Sequence, residues 1–136
     1  MDFLNMLVNK NVESIDHNST LKAAAQRMRD REIGSLIVTK DGKEIGILSE
    51  TDVTRKAVAE GLNPEQICIS SIMSSPIISI EITETPERAN DLMKGKGIRH
   101  LGITEKGTFV GIISVRDLLR YFKVYYDGIG SLKSKK

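Results

Sequence analysis

Leu21, Ala24, Ala25 and Met28 recur at i, i+3, i+4 and i+7, and Ala89, Leu92 and Met93 repeat that face in shorter form. The spacing predicts two amphipathic helices, each with one apolar stripe to bury. Thr20 and Thr85 stand where an N-cap belongs, and Pro86 follows Thr85 at the first helical position, where its missing N–H costs nothing. Short β-branched runs, "VESI" from Val12 and "IISI" from Ile77, precede these helices and predict strands. Paired apolar runs follow them: "SLIVT" with "EIGIL", and "HLGIT" with "FVGII". The pairs are joined through Asp41-Gly42 and Lys106-Gly107, where glycine supplies the positive φ of a tight hairpin. A further helix starts near Asp52 and again near Asp117. It is expected to bury Val53, Ala57 and Val58 in one case and Leu118, Leu119 and Phe122 in the other.

The order β-α-β-β-α therefore occurs twice, and the two copies are in register. An offset of 65 residues takes Ser49 to Ser114, Thr20 to Thr85, Ala24 to Ala89, Met28 to Met93, Leu36 to Leu101, Gly42 to Gly107 and Arg55 to Arg120, without a gap. It also superimposes "GILSETDV" at Gly46 on "GIISVRDL" at Gly111, and Leu4, Leu7 and Val8 on Ile69, Ile72 and Met73. Self-similarity at a fixed period marks each copy as one supersecondary unit. A unit of this size leaves much of its sheet wet on its own, so the two copies are expected to cover each other, their sheets packing about a pseudo-twofold axis. The predicted class is mixed α/β (α+β). The predicted division is a first repeat over 1–61 with a helical lead-in, a connector over 62–76, a second repeat over 77–127 and a basic tail over 128–136.

Composition narrows the function classes. With 40% apolar and 28% charged residues the chain reads as a soluble globular protein. No apolar run approaches the roughly 18 residues of a membrane span. "MDFLNMLVNK" lacks the basic then apolar pattern of a signal peptide, and the single Cys68 excludes a disulfide framework, so a cytoplasmic location without membrane association is expected. A net charge of +2 is nearly balanced, and the one dense basic run is the terminal "SLKSKK". No His/Cys cluster, Ser/His/acid set, P-loop or G-x-G-x-x-G is present, which argues against an enzyme and against a metal site. In "MKGKGIRH" the lysines and glycines end a helix rather than bind phosphate.

The tandem β-α-β-β-α units, with G-h-h-S-x-x-D (h apolar) closing each hairpin and "IMSSPIISI" and "GIRHL" around the second copy, resemble a cystathionine-β-synthase (CBS) domain pair, or Bateman module. The likeness covers roughly residues 3 to 124. It departs from the family at Ile37 and Gly102, where proline is common. The resemblance implies two clefts between the repeats that bind adenosine-containing ligands, such as AMP, ADP, ATP or S-adenosylmethionine, as regulatory ligands, with no cofactor required. It further implies a homodimer, an energy-sensing regulatory role and an unidentified protein partner that is regulated.

By this resemblance Asp52 and Asp117 are the ribose ligands, since a carboxylate at a helix start accepts hydrogen bonds from a diol. Ser49, Thr51, Ser114 and Arg116 are candidates for ribose or phosphate contact beside free helix N–H groups. Val12, Ile15, Ile77, Ile78 and Ile80 would wall the adenine. Arg99 and His100 replace Gly34 and Ser35 of the first copy and are candidate phosphate donors. By the family's pattern they would serve the ligand held by Asp52.

The same S-x-x-D turns also read as capping boxes, in which the Ser caps the N3 amide and the acid reaches back. Two features lean toward binding: capping favours Glu in the reciprocal position, and a bare cap does not require glycine three residues before the Ser in both copies. Both roles stay open on the sequence. Two alternatives to the sensor remain. One is a constitutive protein–protein interaction module with degenerate sites; the other is nucleic-acid binding through Lys94, Lys96, Arg99 and the tail.

Overall fold

The computed structural model describes residues 3–134, with side chains described through Gly128. It contains two three-stranded sheets in two compact units, a mixed α/β architecture as expected.

One unit spans Asn11–Ile78. Strand β1 (Ser14–Asp16) leads through helix α2 (Leu21–Arg31) to β2 (Ser35–Lys40), and β2 turns directly into β3 (Lys43–Ser49). The helical crossover makes β1 and β2 parallel, with Ile15 opposite Val38. The hairpin makes β2 and β3 antiparallel, and its turn residues Asp41 and Gly42 hold φ of 51° and 77°. Positive φ at both central positions is what a two-residue hairpin requires. Thr20 caps α2 by accepting the Ala23 N–H at 3.1 Å. The helix then buries Leu21, Ala24 and Met28 against Ile15, Leu36, Val38 and Leu48 of the sheet. A three-residue helical turn, α3 (Glu50–Asp52), continues as a π-helix over Val53–Val58, in which the Ala59 N–H reaches back to the Thr54 carbonyl. Ala57 is buried as expected, but Val58 is 66% exposed, because the wide turn carries it off the apolar face. After a 3-10 turn at Ile69–Ser71, whose Ile69 joins Ile72 in the core, the chain pairs Ser74 with Ile47 of β3.

The other unit combines the lead-in through Lys10 with everything from Ser79. Helix α1 (Phe3–Leu7) is followed, after the first unit, by β4 (Ser79–Glu81), α4 (Pro86–Lys96), β5 (His100–Glu105), β6 (Thr108–Ser114) and α5 (Val115–Ser134). Strand pairing repeats that of the first sheet: β4 parallel to β5, β5 antiparallel to β6. Thr85 caps α4, Pro86 opens it, and Gly97 closes it at φ 64°. Asn9 bridges to Ile112 of β6 as Ser74 does to Ile47. Each lead-in thus pairs with a hairpin, but the N-terminal one joins the second repeat, while Ile69–Ser74 joins the first. The sequence alone places the first lead-in with the repeat it precedes, over 1–61, whereas its strand pairing groups it with the second. Within α5, Leu118 is buried and Phe122 half-buried, whereas Leu119 is 62% exposed. The helix runs through 128–134 of the stretch read as a tail; Lys135 and Lys136 fall outside the described residues.

In both hairpins the register shifts at one place, between Val38 and Thr39 and between Ile103 and Thr104, so that Ile45 of β3 and Val110 of β6 are the extra, bulged residues, each one position before the glycine. No helix among the described residues is long and apolar enough to cross a membrane.

Candidate functional site

At the end of β3, Ser49 leaves the extended strand (φ −113°, ψ 162°) and caps the following turn. The Asp52 N–H donates to Ser49 Oγ at 3.2 Å, and the Ser49 N–H donates to Asp52 Oδ2 at 3.0 Å, a reciprocal capping box. Asp52 is 7% exposed, the one charged side chain among the buried residues. Its second oxygen is engaged as well: Lys56 Nζ lies 3.0 Å from Oδ1, and Ser74 Oγ donates to it at 3.4 Å. Lys56 also donates to the Ile72 carbonyl at 3.3 Å and to Ser74 Oγ at 3.5 Å, tying the turn to the lead-in segment. A carboxylate removed from water needs such partners, since an unpaired buried charge is strongly destabilising.

The second acidic turn has the same backbone and a different periphery. The Ser114 N–H and Oγ donate to Asp117 Oδ2 at 2.8 and 3.0 Å, and the Asp117 N–H donates to Ser114 Oγ at 3.2 Å. Asp117 is half-buried, and among the described residues its Oδ1 has no hydrogen-bond or ionic partner. The residue one helical turn on, in the place of Lys56, is Tyr121. Its ring meets Phe3, Phe122 and Tyr125 at centroid distances of 5.7, 5.3 and 6.2 Å. Burial, and then the carboxylate of Glu87, push its phenol above the ordinary range.

Both S-x-x-D turns are therefore capping boxes, and the preceding glycines have a structural cause. A Cβ on Gly46 would lie 2.8 Å from the Ser74 carbonyl and from Met73 Sδ; on Gly111 it would lie 2.4 Å from the Asn9 carbonyl. The lead-in backbone crosses the strand there, so glycine is required whether or not a ligand binds. The inference from those glycines to ligand binding is thereby corrected.

The other candidates divide between the units. Thr51 is half-buried beside Asp52, and Arg116 is exposed one residue before Asp117. Arg99 is exposed, with its carbonyl accepting the Val115 N–H at 2.9 Å, and His100 stands opposite Ser114 in the β5–β6 ladder. In its own unit the basic pair thus lies beside the turn that carries Asp117. Val12, Ile77, Ile78 and Ile80 are half-buried and keep accessible apolar surface. Ile15 does not: the central residue of β1 points into the core at 5% exposure. Sequence reasoning missed Lys56 and Ser74. The Asp52/Lys56 spacing of four was the available signal, since residues so placed meet on one helical face; nothing in the sequence placed Ser74 beside them. Among the described residues no group of three or more His, Cys, Asp or Glu side chains could hold a metal ion.

Comparison with known proteins agrees with this architecture. The CBS domain family model matches residues 4–59 and 69–124. An uncharacterized protein of Methanopyrus kandleri is 38% identical over 98 residues, 71% of this chain, and the match spans only half the length of that relative. The CBS domain-containing protein YhcV of Bacillus subtilis is 30% identical over 79% of this chain and 76% of its own. Among solved structures, a hexameric CBS-CP12 protein from bloom-forming cyanobacteria superimposes with a TM-score of 0.78 at 28% identity, covering 85% of this chain and 65% of that one. Two family matches that together span most of the chain, each containing one acidic turn, make this protein a member of the CBS domain family carrying two CBS domains in tandem.

Proposed function

We propose that this chain is a cytoplasmic regulatory protein, not an enzyme, that binds an adenosine-containing ligand and passes its occupancy to a partner through a change of conformation. The observation that carries this reading is Asp117: a carboxylate fixed through Oδ2, with Oδ1 free of partners among the described residues. A fixed carboxylate with an open oxygen is suited to a ribose hydroxyl, and a hydrogen bond to a charged group contributes about 1.5–3 kcal/mol. Arg116 one residue away, and Arg99 and His100 across the ladder, supply donors suited to phosphate oxygens. A ligand held there shifts a conformational equilibrium only by its differential affinity for the two states. The exposed Val58, Leu119, Val124 and Tyr125 suit self-association, as a homodimer or a larger assembly like the hexameric relative, which light scattering measures directly.

Calorimetric titration with AMP, ADP, ATP and S-adenosylmethionine tests the reading. Heat and a thermal shift with at least one ligand, lost in Asp117→Ala, are expected; saturation at 100 times Kd stabilises by about 2.7 kcal/mol. A second reading is supported by the capping boxes themselves, which account for both acids without any ligand: a constitutive interaction module. Absence of heat and of thermal shift with all four ligands at millimolar concentration selects it.

A further inference from the structure

The two acidic turns differ in who occupies the outward carboxylate oxygen. In the first repeat the protein fills it: Lys56 Nζ sits 3.0 Å from Asp52 Oδ1 and Ser74 Oγ 3.4 Å from the same atom. In the second repeat the equivalent helical position is Tyr121, and among the described residues Asp117 Oδ1 has no partner. We infer that Lys56 is a built-in occupant of the first repeat's acid, so that an adenosine ligand engages Asp117 first and Asp52 only after Lys56 is displaced. This inference rests on the adenosine reading of the acidic turns and adds an order of filling to it.

The chemistry follows from charge. A ribose hydroxyl offers a neutral hydrogen bond, whereas the ammonium offers a charge-assisted one, roughly twice as strong. Asp52 is almost fully enclosed, so the exchange trades an ion pair in a poorly solvated place for a weaker contact. Asp117 is half-buried and gives up nothing at Oδ1 when a hydroxyl arrives. Lys56 keeps two further acceptors, the Ile72 carbonyl and Ser74 Oγ, so its release from the acid leaves it held at the lead-in segment. The helix that carries it is wound as a π-helix, unlike α5 at the matching position in the second repeat. Such turns are rare and concentrate at functional sites.

The test follows the two carboxyl carbons by NMR during AMP titration of the full chain, in the wild type and in Lys56→Met, with Lys56→Tyr as a second variant that installs the second repeat's own residue. In the wild type the Asp117 signal is expected to move first, with Asp52 half-saturating at about tenfold or higher AMP. In either Lys56 variant Asp52 is expected to respond alongside Asp117. If Asp52 moves with or before Asp117 in the wild type, or stays silent when Lys56 is replaced, the internal-occupant inference fails while the adenosine reading stands. If neither carboxyl responds to AMP, ATP or S-adenosylmethionine, both fail together.

Discussion

The two copies agree in backbone to the level of caps, bulges and turn residues, yet they handle the same carboxylate oppositely. In the first, Asp52 is enclosed and satisfied on every side by Ser49, Ser74 and Lys56. In the second, Asp117 is half-buried and satisfied on one oxygen, the other having no partner among the described residues. The backbone cap is thus the shared, structural part of the motif. The residue one helical turn later, Lys56 or Tyr121, separates the two turns. The frame itself diverges after the turns, where the first copy continues as the π-helix Val53–Val58 and the second as the α-helix α5.

The largest expected effect tests the frame. Gly111→Ala drives a Cβ to 2.4 Å from the Asn9 carbonyl, on a residue whose backbone exchanges two hydrogen bonds with Ile112. It should destabilise the protein by about 3 kcal/mol in urea unfolding. Gly46→Ala meets Met73 Sδ and the Ser74 carbonyl at 2.8 Å and should cost less, about 2 kcal/mol, because its nearest backbone approach is looser than the 2.4 Å at Gly111 and the methionine can swing aside. Equal urea midpoints for Gly46→Ala and wild type would show that the lead-in is not pinned where the structure puts it.

Next comes the end of the first helix in each copy. Helix α2 stops at Glu32 with φ 55°, and α4 stops at Gly97 with φ 64°. A side chain in this left-handed conformation is strained by about 1 kcal/mol, and glycine is not. Glu32→Gly should raise stability by up to about 1 kcal/mol and Gly97→Ala should lower it by a similar amount. Opposite signs in the urea midpoints of the two variants check this directly.

The smallest effect concerns the hairpin turns. Glu81 reaches from β4 to the second turn: it accepts the Thr104 hydroxyl at 2.6 Å, the Lys106 N–H, and the Gly107 N–H at 3.4 Å. The shorter Asp16 at the matching position instead accepts the Asn18 N–H at 3.0 Å. The Thr104 hydroxyl first, and then the two amides, hold the Glu81 carboxyl below its ordinary range. A depressed folded-state pKa means that the contribution is present above the unfolded value, about 4.3, and is lost as pH falls through the folded one. Amide exchange at Lys106 and Gly107, corrected for intrinsic rates, should therefore accelerate in acid while Asp41 and Gly42 do not follow. Glu81→Gln should remove the difference.

Local features were legible in the sequence because local chemistry makes them. Thr20 and Thr85 cap, Pro86 opens a helix, Asp41-Gly42 and Lys106-Gly107 turn hairpins, and the apolar spacing of Leu21, Ala24 and Met28 marks a buried face. The acidic turns were legible as caps or ligands for the same reason. Features that depend on distant chain were not. Gly46 and Gly111 are forced by Ser74 and Asn9, which no local rule brings near. Exposure of Val58 and Leu119 depends on which face of each last helix meets the core, Leu118 and not its neighbour Leu119 being the buried residue of α5. Ile15 points inward as the central residue of the three-residue strand β1, whose neighbours Ser14 and Asp16 take the exposed face.

The pairing of Asn9 with Ile112 bears on the order in which this chain can mature on the ribosome. The segment Asn11–Ile78 holds its own sheet, helix and lead-in, and can close as soon as it has emerged. The opening ten residues have no such option. Their docking strand, β6, follows the whole Asn11–Ile78 segment in the chain, so their pairing waits until that segment and β6 have both emerged. It is a long-range contact that closes across an intervening unit, the kind that forms slowly.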